Sequence, residues 1–99
     1  MLIRSQNKEL LVNFNVSAGI EIEEGTTKTV VTSYITGCSY LLGEYSTKEK
    51  ALKVLDMIQE AYSEYQIMLN FSVSYLHEFK EKTAGFDIFQ MPEDSEVEA

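Results

Sequence analysis

The sequence predicts an α+β fold: a five-stranded antiparallel meander packed by a long C-terminal helix, a second helical segment and a short final strand. Apolar and polar residues alternate through the first half of the chain, and turn residues interrupt this alternation at short intervals. The apolar spacing then becomes helical after Ser46. Strands joined by short turns favour an antiparallel meander, and an amphipathic helix is expected to cover one of its faces.

The strands of the meander are expected at 2–6, 10–15, 18–23, 28–35 and 39–45. In the second of them, Leu10, Val12 and Phe14 share one face, as in a half-buried strand. In the third, isoleucines alternate with glutamates, which predicts one buried face and one acidic face in contact with water. The fourth is rich in Val, Thr and Tyr, which suit a pleated, half-buried surface.

The helix is expected to begin at Ser46, because Ser46 and Glu49 have the spacing of a capping box. Its apolar stripe recurs in steps of three and four residues, at Ala51, Leu55, Ile58, Tyr62 and Tyr65. Residues 67–82 fit a helix or a strand. We prefer a helix, either continuous with the first or broken near Asn70.

The final strand is predicted at 86–91, and Pro92 ends it because proline lacks an N–H group. We expect one domain over 1–92 and an acidic mobile tail over 93–99, which has too little apolar surface to pack. The whole chain has 16 acidic and 8 basic residues, a net charge of −8. This charge repels phosphates and anionic membranes, so we expect no direct nucleic-acid binding and no membrane binding.

Candidate chemical groups are sparse. Cys38 and His77 are single residues without the neighbours that a reactive thiolate or a metal site requires. The glycines form no phosphate-binding loop. We therefore expect no cofactor, no metal and no enzymatic activity. One cysteine and no apolar run of signal-peptide or membrane length predict a cytoplasmic protein.

Two acidic rows are the candidate partner-binding residues. They are Glu21, Glu23 and Glu24 on the third strand, and Asp56, Glu60 and Glu64 on the helix. Carboxylates at such spacings can imitate a row of phosphates and occupy a basic nucleic-acid-binding cleft. The alternative is that both rows are solvated faces that keep the protein soluble.

A set of aromatic residues is the candidate interface of a homodimer. Its members are Tyr62, Tyr65, Phe71, Tyr75 and Phe79. These rings exceed what one helix can bury against a small sheet, and surplus apolar area often goes into a dimer interface. The alternative is that the second helical segment folds back and buries them within one chain.

Three segments carry a family resemblance. They are LIRSQNK at 2–8, LGEYSTKEKA at 42–51 and FQMPEDSE at 89–96. The chain resembles, in these segments, a group of small uncharacterised proteins from phages and mobile elements of Gram-positive bacteria. The segments contain no catalytic motif, so the resemblance implies a context: a bacterial host cell and proteins that disarm host defence, including anti-CRISPR proteins.

The leading functional hypothesis is a non-catalytic, phage-derived inhibitory binding protein. As an anti-CRISPR, it would dock acidic residues into the DNA-binding cleft of a host CRISPR effector nuclease. One alternative is an oligomeric structural or assembly protein of a mobile element. The other is a small-molecule sequestering protein, with a pocket between sheet and helices lined by tyrosines and Arg4.

Overall fold

The computed structural model describes residues 1–69 and 88–98, and within them the fold is α+β, as the sequence predicts. The strands are β1 (Leu2–Arg4), β2 (Leu11–Asn13), β3 (Gly19–Glu24), β4 (Thr29–Ile35), β5 (Cys38–Tyr45) and β6 (Ile88–Gln90). The helix α1 spans Lys48–Leu69, and two 3-10 turns span Phe14–Val16 and Asp94–Glu96. Beyond Leu69, the predicted second helical segment lies outside the described residues.

The predicted five-stranded meander is wrong, because the described strands divide between two three-stranded sheets. Sheet A has the order β2-β1-β6, and sheet B has the order β3-β4-β5. The chain leaves sheet A at Asn13, whose side chain accepts a hydrogen bond from the Asn15 N–H and starts a 3-10 turn. This turn separates β2 from β3, so these two consecutive strands do not pair. The helix is also not C-terminal, since β6 and a 3-10 turn follow it in the chain.

Sheet A joins the two ends of the chain. β1 pairs antiparallel with β2 and parallel with β6, so that Ile3 lies opposite both Val12 and Phe89. Ile3 is fully buried. The final strand therefore exists within the predicted range, but its parallel pairing with the first strand has no local signal in the sequence.

Sheet B is a regular antiparallel sheet with one irregularity. β3 pairs with β4 from Gly19–Tyr34 to Glu24–Thr29 without a shift in register. A bulge between Val31 and Thr32 shifts the register of β4 with β5. The bulged β5 strand turns Leu42 into the core, where it is 1% exposed.

Helix α1 packs on one face of sheet B, which we call the inner face. Ala51, Val54 and Ile58 are buried there, in one core cluster with Val31 and Leu42. The start of α1 lies near the end of β3, and its later turns lie near the residues that precede β3. The helix therefore runs antiparallel to β3.

The start of α1 differs from the predicted capping box. The Thr47 hydroxyl accepts a hydrogen bond from the Lys50 N–H at 3.2 Å, so Thr47 caps the helix. Ser46 instead donates its backbone N–H to Asp94 Oδ1 at 2.8 Å and its hydroxyl to the same oxygen at 3.1 Å. A distant carboxylate thus takes the place that the sequence assigns to Glu49.

The segment after Pro92 packs on the domain, which differs from the mobile tail that we expect from the sequence. Val97 is 4% exposed and belongs to the core cluster. Lys50 Nζ donates to the Asp94 carbonyl oxygen at 2.9 Å. The segment has little apolar surface, as its composition indicates, but one valine and one aspartate are enough to hold it against the body.

Candidate binding surface

Two acidic residues of β3, Glu21 and Glu23, lie on the face of sheet B that is opposite α1, which we call the outer face. Ile20 and Ile22 are half-buried and pack against the core on the inner face. Because side chains alternate along a strand, Glu21 and Glu23 project to the outer face. Both are exposed.

The neighbours of these glutamates on the outer face are partly apolar. Glu21 lies opposite Thr32, and Glu23 lies opposite Val30. Thr32 in turn lies opposite Leu41, which is 49% exposed. The outer face is therefore a small apolar floor with carboxylates along the β3 side.

Two polar groups on this face lie close to the acids. The Glu21 side chain raises the pKa of Tyr34 above its ordinary value of 10.0, chiefly by hydrogen bonding to the phenol. The Thr32 hydroxyl is buried on the same face and acts in the opposite direction on this pKa.

The remaining sheet acids have cationic neighbours. Glu24, at the end of β3, lies 3.4 Å from Lys48 Nζ. Glu44 on β5 lies 3.0 Å from Lys28 Nζ. Glu21 and Glu23 have no such ion pair within residues 1–69 and 88–98, so their charges are the ones most available to a partner.

The second predicted acidic row lies on the other side of the molecule. Asp56, Glu60 and Glu64 are exposed on α1. On a helix that turns about 100° per residue, they lie roughly opposite the buried side chains. Sheet B and α1 therefore stand between the two rows, and the structure does not bring the six predicted residues onto one surface.

The described aromatic residues already contact their own chain. The rings of Tyr62 and Phe14 lie 4.8 Å apart, and those of Tyr62 and Tyr65 lie 6.4 Å apart. Tyr62 and Tyr65 are half-buried against the core. Phe71, Tyr75 and Phe79, the rest of the predicted dimer interface, lie outside the described residues. Phe14 is a partner of Tyr62 that no local pattern of the sequence indicates, although its place at the end of an alternating run marks it as inward-facing.

Arg4 does not lie in a pocket between sheet and helix. Its side chain is exposed on β1, and its Nε donates to the Lys8 carbonyl at 3.1 Å. An open depression of about 210 Å³ lies beside the bulge of β5. Its lining residues are Gln6, Asn7, Leu41, Leu42, Gly43 and Glu44.

The described residues contain no cluster that could hold a metal ion: over 1–69 and 88–98, no three His, Cys, Asp or Glu side chains are grouped for this. Cys38 is exposed where the turn after β4 enters β5, and His77 lies outside the described residues. Within the described chain, no helix is both long enough and apolar enough to span a membrane.

Comparison with known proteins adds no relative to these observations. The chain matches no protein-family model, no curated protein sequence and no solved structure.

Proposed function

We propose that this protein is a non-catalytic inhibitory binding protein of phage origin, and that it acts as an anti-CRISPR. Its outer face would enter the DNA-binding cleft of a host CRISPR effector nuclease, with Glu21 and Glu23 in the place of DNA phosphates. The observation that carries this proposal is the position of these two exposed carboxylates on one regular strand, without a cationic neighbour among the described side chains.

The spacing and rigidity of β3 support the proposal. Alternate residues of a strand lie about 6.7 Å apart, so the two carboxylates form a fixed row. Arginine side chains that bind phosphate also bind carboxylate through paired hydrogen bonds. Because β3 is held by six residue pairs with β4, the row is organised before binding, which lowers the entropic cost of association.

The opposite placement of the two acidic rows provides a matched experiment. We would measure the binding of target DNA to a guide-loaded CRISPR effector nuclease, by fluorescence anisotropy, with increasing amounts of this protein. The test variant is Glu21→Lys with Glu23→Lys. The control variant is Asp56→Lys with Glu60→Lys, which makes the same change in net charge on the other side of the molecule.

The unaltered protein and the control variant are expected to displace DNA, and the test variant is expected not to. Inhibition should weaken as salt is raised, because exposed charges are screened. If both variants inhibit as well as the unaltered protein, the outer face is not the binding surface. If the unaltered protein does not displace DNA from effectors of several types, the proposed function is wrong.

The two alternative functions stay proposals of lower rank. For an oligomeric assembly protein or a homodimer, Tyr62 and Tyr65 would have to serve an interface while they contact their own chain. For a small-molecule sequestering protein, the ligand would have to use the open depression beside β5. Native mass spectrometry of the purified protein measures both the subunit number and any retained ligand.

A further inference from the structure

We further infer that the open edge of β3 accepts an extended segment of the partner as an added strand, and that this segment carries basic residues at every second position. The inference rests on the proposed function, because it describes how an acidic surface would hold a basic protein. It assigns a second role to β3: backbone groups bind the segment, and the two glutamates select its charge.

The edge of β3 is suited to strand addition. Among the described strands, β3 pairs with β4 alone, and all six of its residues keep one register. It contains no proline and no bulge, two of the features with which proteins blunt an edge, and its charged residues are all glutamates. Every second N–H and C=O group of an edge strand points away from its neighbour, so β3 presents a row of backbone groups that no other described strand pairs with.

The two ends of β3 limit the length of the site. The Ser17 hydroxyl donates to the Gly19 carbonyl at 3.0 Å and lies 2.9 Å from Ser33 Oγ of β4, so the Gly19 carbonyl faces β4 and is not offered to an added strand. Lys48 lies 3.4 Å from Glu24 at the last residue. An added strand would therefore bind along Ile20–Glu24, where two or three residues face outward and each offers one N–H and one C=O group.

The glutamates determine which strand can bind. If two copies of the protein paired antiparallel about Ile22, Glu21 of one copy would face Glu23 of the other, and like charges opposite each other destabilise a sheet. A segment with lysine or arginine at alternate positions would instead place its cations beside both carboxylates on the outer face. The charge of β3 thus opposes self-association and favours a basic extended segment.

A short peptide tests this inference without knowledge of the natural partner. The probe is a blocked heptapeptide of alternating lysine and threonine. The matched peptide has proline in place of threonine; it has the same charge but lacks the N–H groups that a ladder requires. We expect the threonine peptide to bind roughly tenfold more tightly, because the backbone hydrogen bonds each contribute modestly.

Amide hydrogen exchange locates the peptide on the protein. Binding of the threonine peptide should slow exchange at about every second amide between Ile20 and Glu24. The double variant Glu21→Lys with Glu23→Lys should no longer bind this peptide. It should instead bind a peptide of alternating glutamate and threonine. Asp56→Lys with Glu60→Lys should keep the original preference.

Three results would overturn the inference: no binding of the threonine peptide, equal binding of the two lysine peptides, or protection away from β3. A dimer in sedimentation experiments that protects the same amides would show that a second copy occupies the edge. These results are separable from failure of the proposed function, which is measured by DNA displacement from the effector nuclease. Displacement without protection of β3 would leave that function in place and remove the added strand.

Discussion

The two edges of sheet B have the same kind of backbone but opposite surroundings. The β5 edge is joined to sheet A and to the C-terminal segment by backbone and side-chain hydrogen bonds. Along the β3 edge, the described residues show one ion pair, between Glu24 at the last residue of β3 and Lys48. Within the described residues, the contacts that join sheet B to the rest of the domain are therefore concentrated at the β5 edge, and the opposite edge is the one that we propose for binding.

Gln6 closes the β5 edge. Its backbone N–H donates to the Leu42 carbonyl at 2.7 Å. Its side-chain Oε1 accepts from the Glu44 N–H at 2.9 Å, and its Nε2 donates to the Glu44 carbonyl at 3.1 Å. The side-chain amide therefore bonds to Glu44 as a neighbouring strand would. Nε2 also lies 3.2 Å from the Pro92 carbonyl, which ties in the C-terminal segment.

Tyr45 fills the space beside this junction. It is 1% exposed, its hydroxyl donates to the Pro92 carbonyl at 2.8 Å, and burial raises its pKa above the ordinary value. A Cβ atom at position 43 would lie 3.1 Å from Tyr45 Cε2, so Gly43 allows the ring to lie close to the strand. The contact explains why a glycine stands in the middle of β5.

The largest effect is expected at Ile3, in the centre of sheet A. Ile3→Ala should lower the free energy of unfolding by about 2–5 kcal/mol, because it leaves a cavity at a fully buried site. Urea denaturation measures the loss, and Leu11→Ala on the neighbouring strand, where Leu11 is 55% exposed, is the control. If Ile3→Ala does not fold, Ile3→Val with a loss of about 0.5–1.5 kcal/mol serves instead. Equal effects of the Ile3 and Leu11 variants would contradict a core centred on β1.

The next effect is expected at Gln6. Gln6→Glu keeps the shape of the side chain but removes the donor to the Glu44 and Pro92 carbonyls. We expect a loss of about 1–3 kcal/mol in urea denaturation, since the partly buried Glu44 carbonyl loses this donor, while the Pro92 carbonyl keeps the Tyr45 hydroxyl. Gln59→Glu makes the same substitution at an exposed position of α1 and should change stability by less than about 0.5 kcal/mol. If Gln6→Glu leaves the free energy of unfolding unchanged, the stability of the junction between the two sheets does not depend on this side chain.

A smaller, pH-dependent effect is expected at Asp94. Hydrogen bonding from the Ser46 backbone N–H lowers the pKa of Asp94 below its ordinary value of 3.8, and Lys50 contributes. Because the folded pKa is lowered, the stabilisation is present above pH 3.8 and is lost as the pH falls through the folded pKa. Urea denaturation should therefore show Asp94→Ala to be less stable than the unaltered protein at neutral pH, with a difference that shrinks below pH 3.8.

The control for this measurement is Asp56→Ala, which removes an exposed carboxylate on the far side of α1. It should change stability at neutral pH by less than about 0.5 kcal/mol. A difference between Asp94→Ala and the unaltered protein that is constant from pH 7 to below pH 3.8 would show that the charge of Asp94 does not hold the C-terminal segment.

The smallest effect on stability is expected at the open edge. Glu21→Gln should change the free energy of unfolding by less than about 0.5 kcal/mol, as is usual for surface residues. It should nevertheless lower the pKa of Tyr34, because the Glu21 side chain is the main reason that this pKa is raised. NMR titration of the tyrosine ring carbons measures the change, with Glu60→Gln as the control. If the pKa of Tyr34 is the same in both variants, Tyr34 and Glu21 are not in contact on the outer face.

Local sequence patterns predicted several elements well. Alternation of isoleucine and glutamate predicted a strand with one acidic face at 18–23, and β3 spans Gly19–Glu24. Helical spacing predicted the buried stripe of α1, of which Ala51 and Ile58 are fully buried. The same spacing also predicted the exposed positions of the acidic residues on both elements. These features follow from contacts between residues two to four positions apart, which a single segment of sequence contains.

The arrangement of the strands was beyond such patterns. The parallel pairing of β1 with β6 joins residues from the two ends of the chain, and no turn residue marks it. Asp94 displaced the predicted capping box because Ser46 donates its N–H to a carboxylate that is 48 positions away. The burial of Val97 could likewise not be predicted, because Val97 is a single branched apolar residue in a charged segment.

The fold class, most strand and helix positions and the two acidic rows could be predicted from the sequence, because periodicity decides which side chains of one element share a face. The division into two sheets, the closure of one edge of sheet B by Gln6 and the placement of Glu21 and Glu23 on the far side of the molecule from the acidic row of α1 came from tertiary packing. Those features depend on how elements pair across the chain, as between Gln6 and Pro92, which are 86 positions apart. Such pairings are selected by the packing of the whole domain.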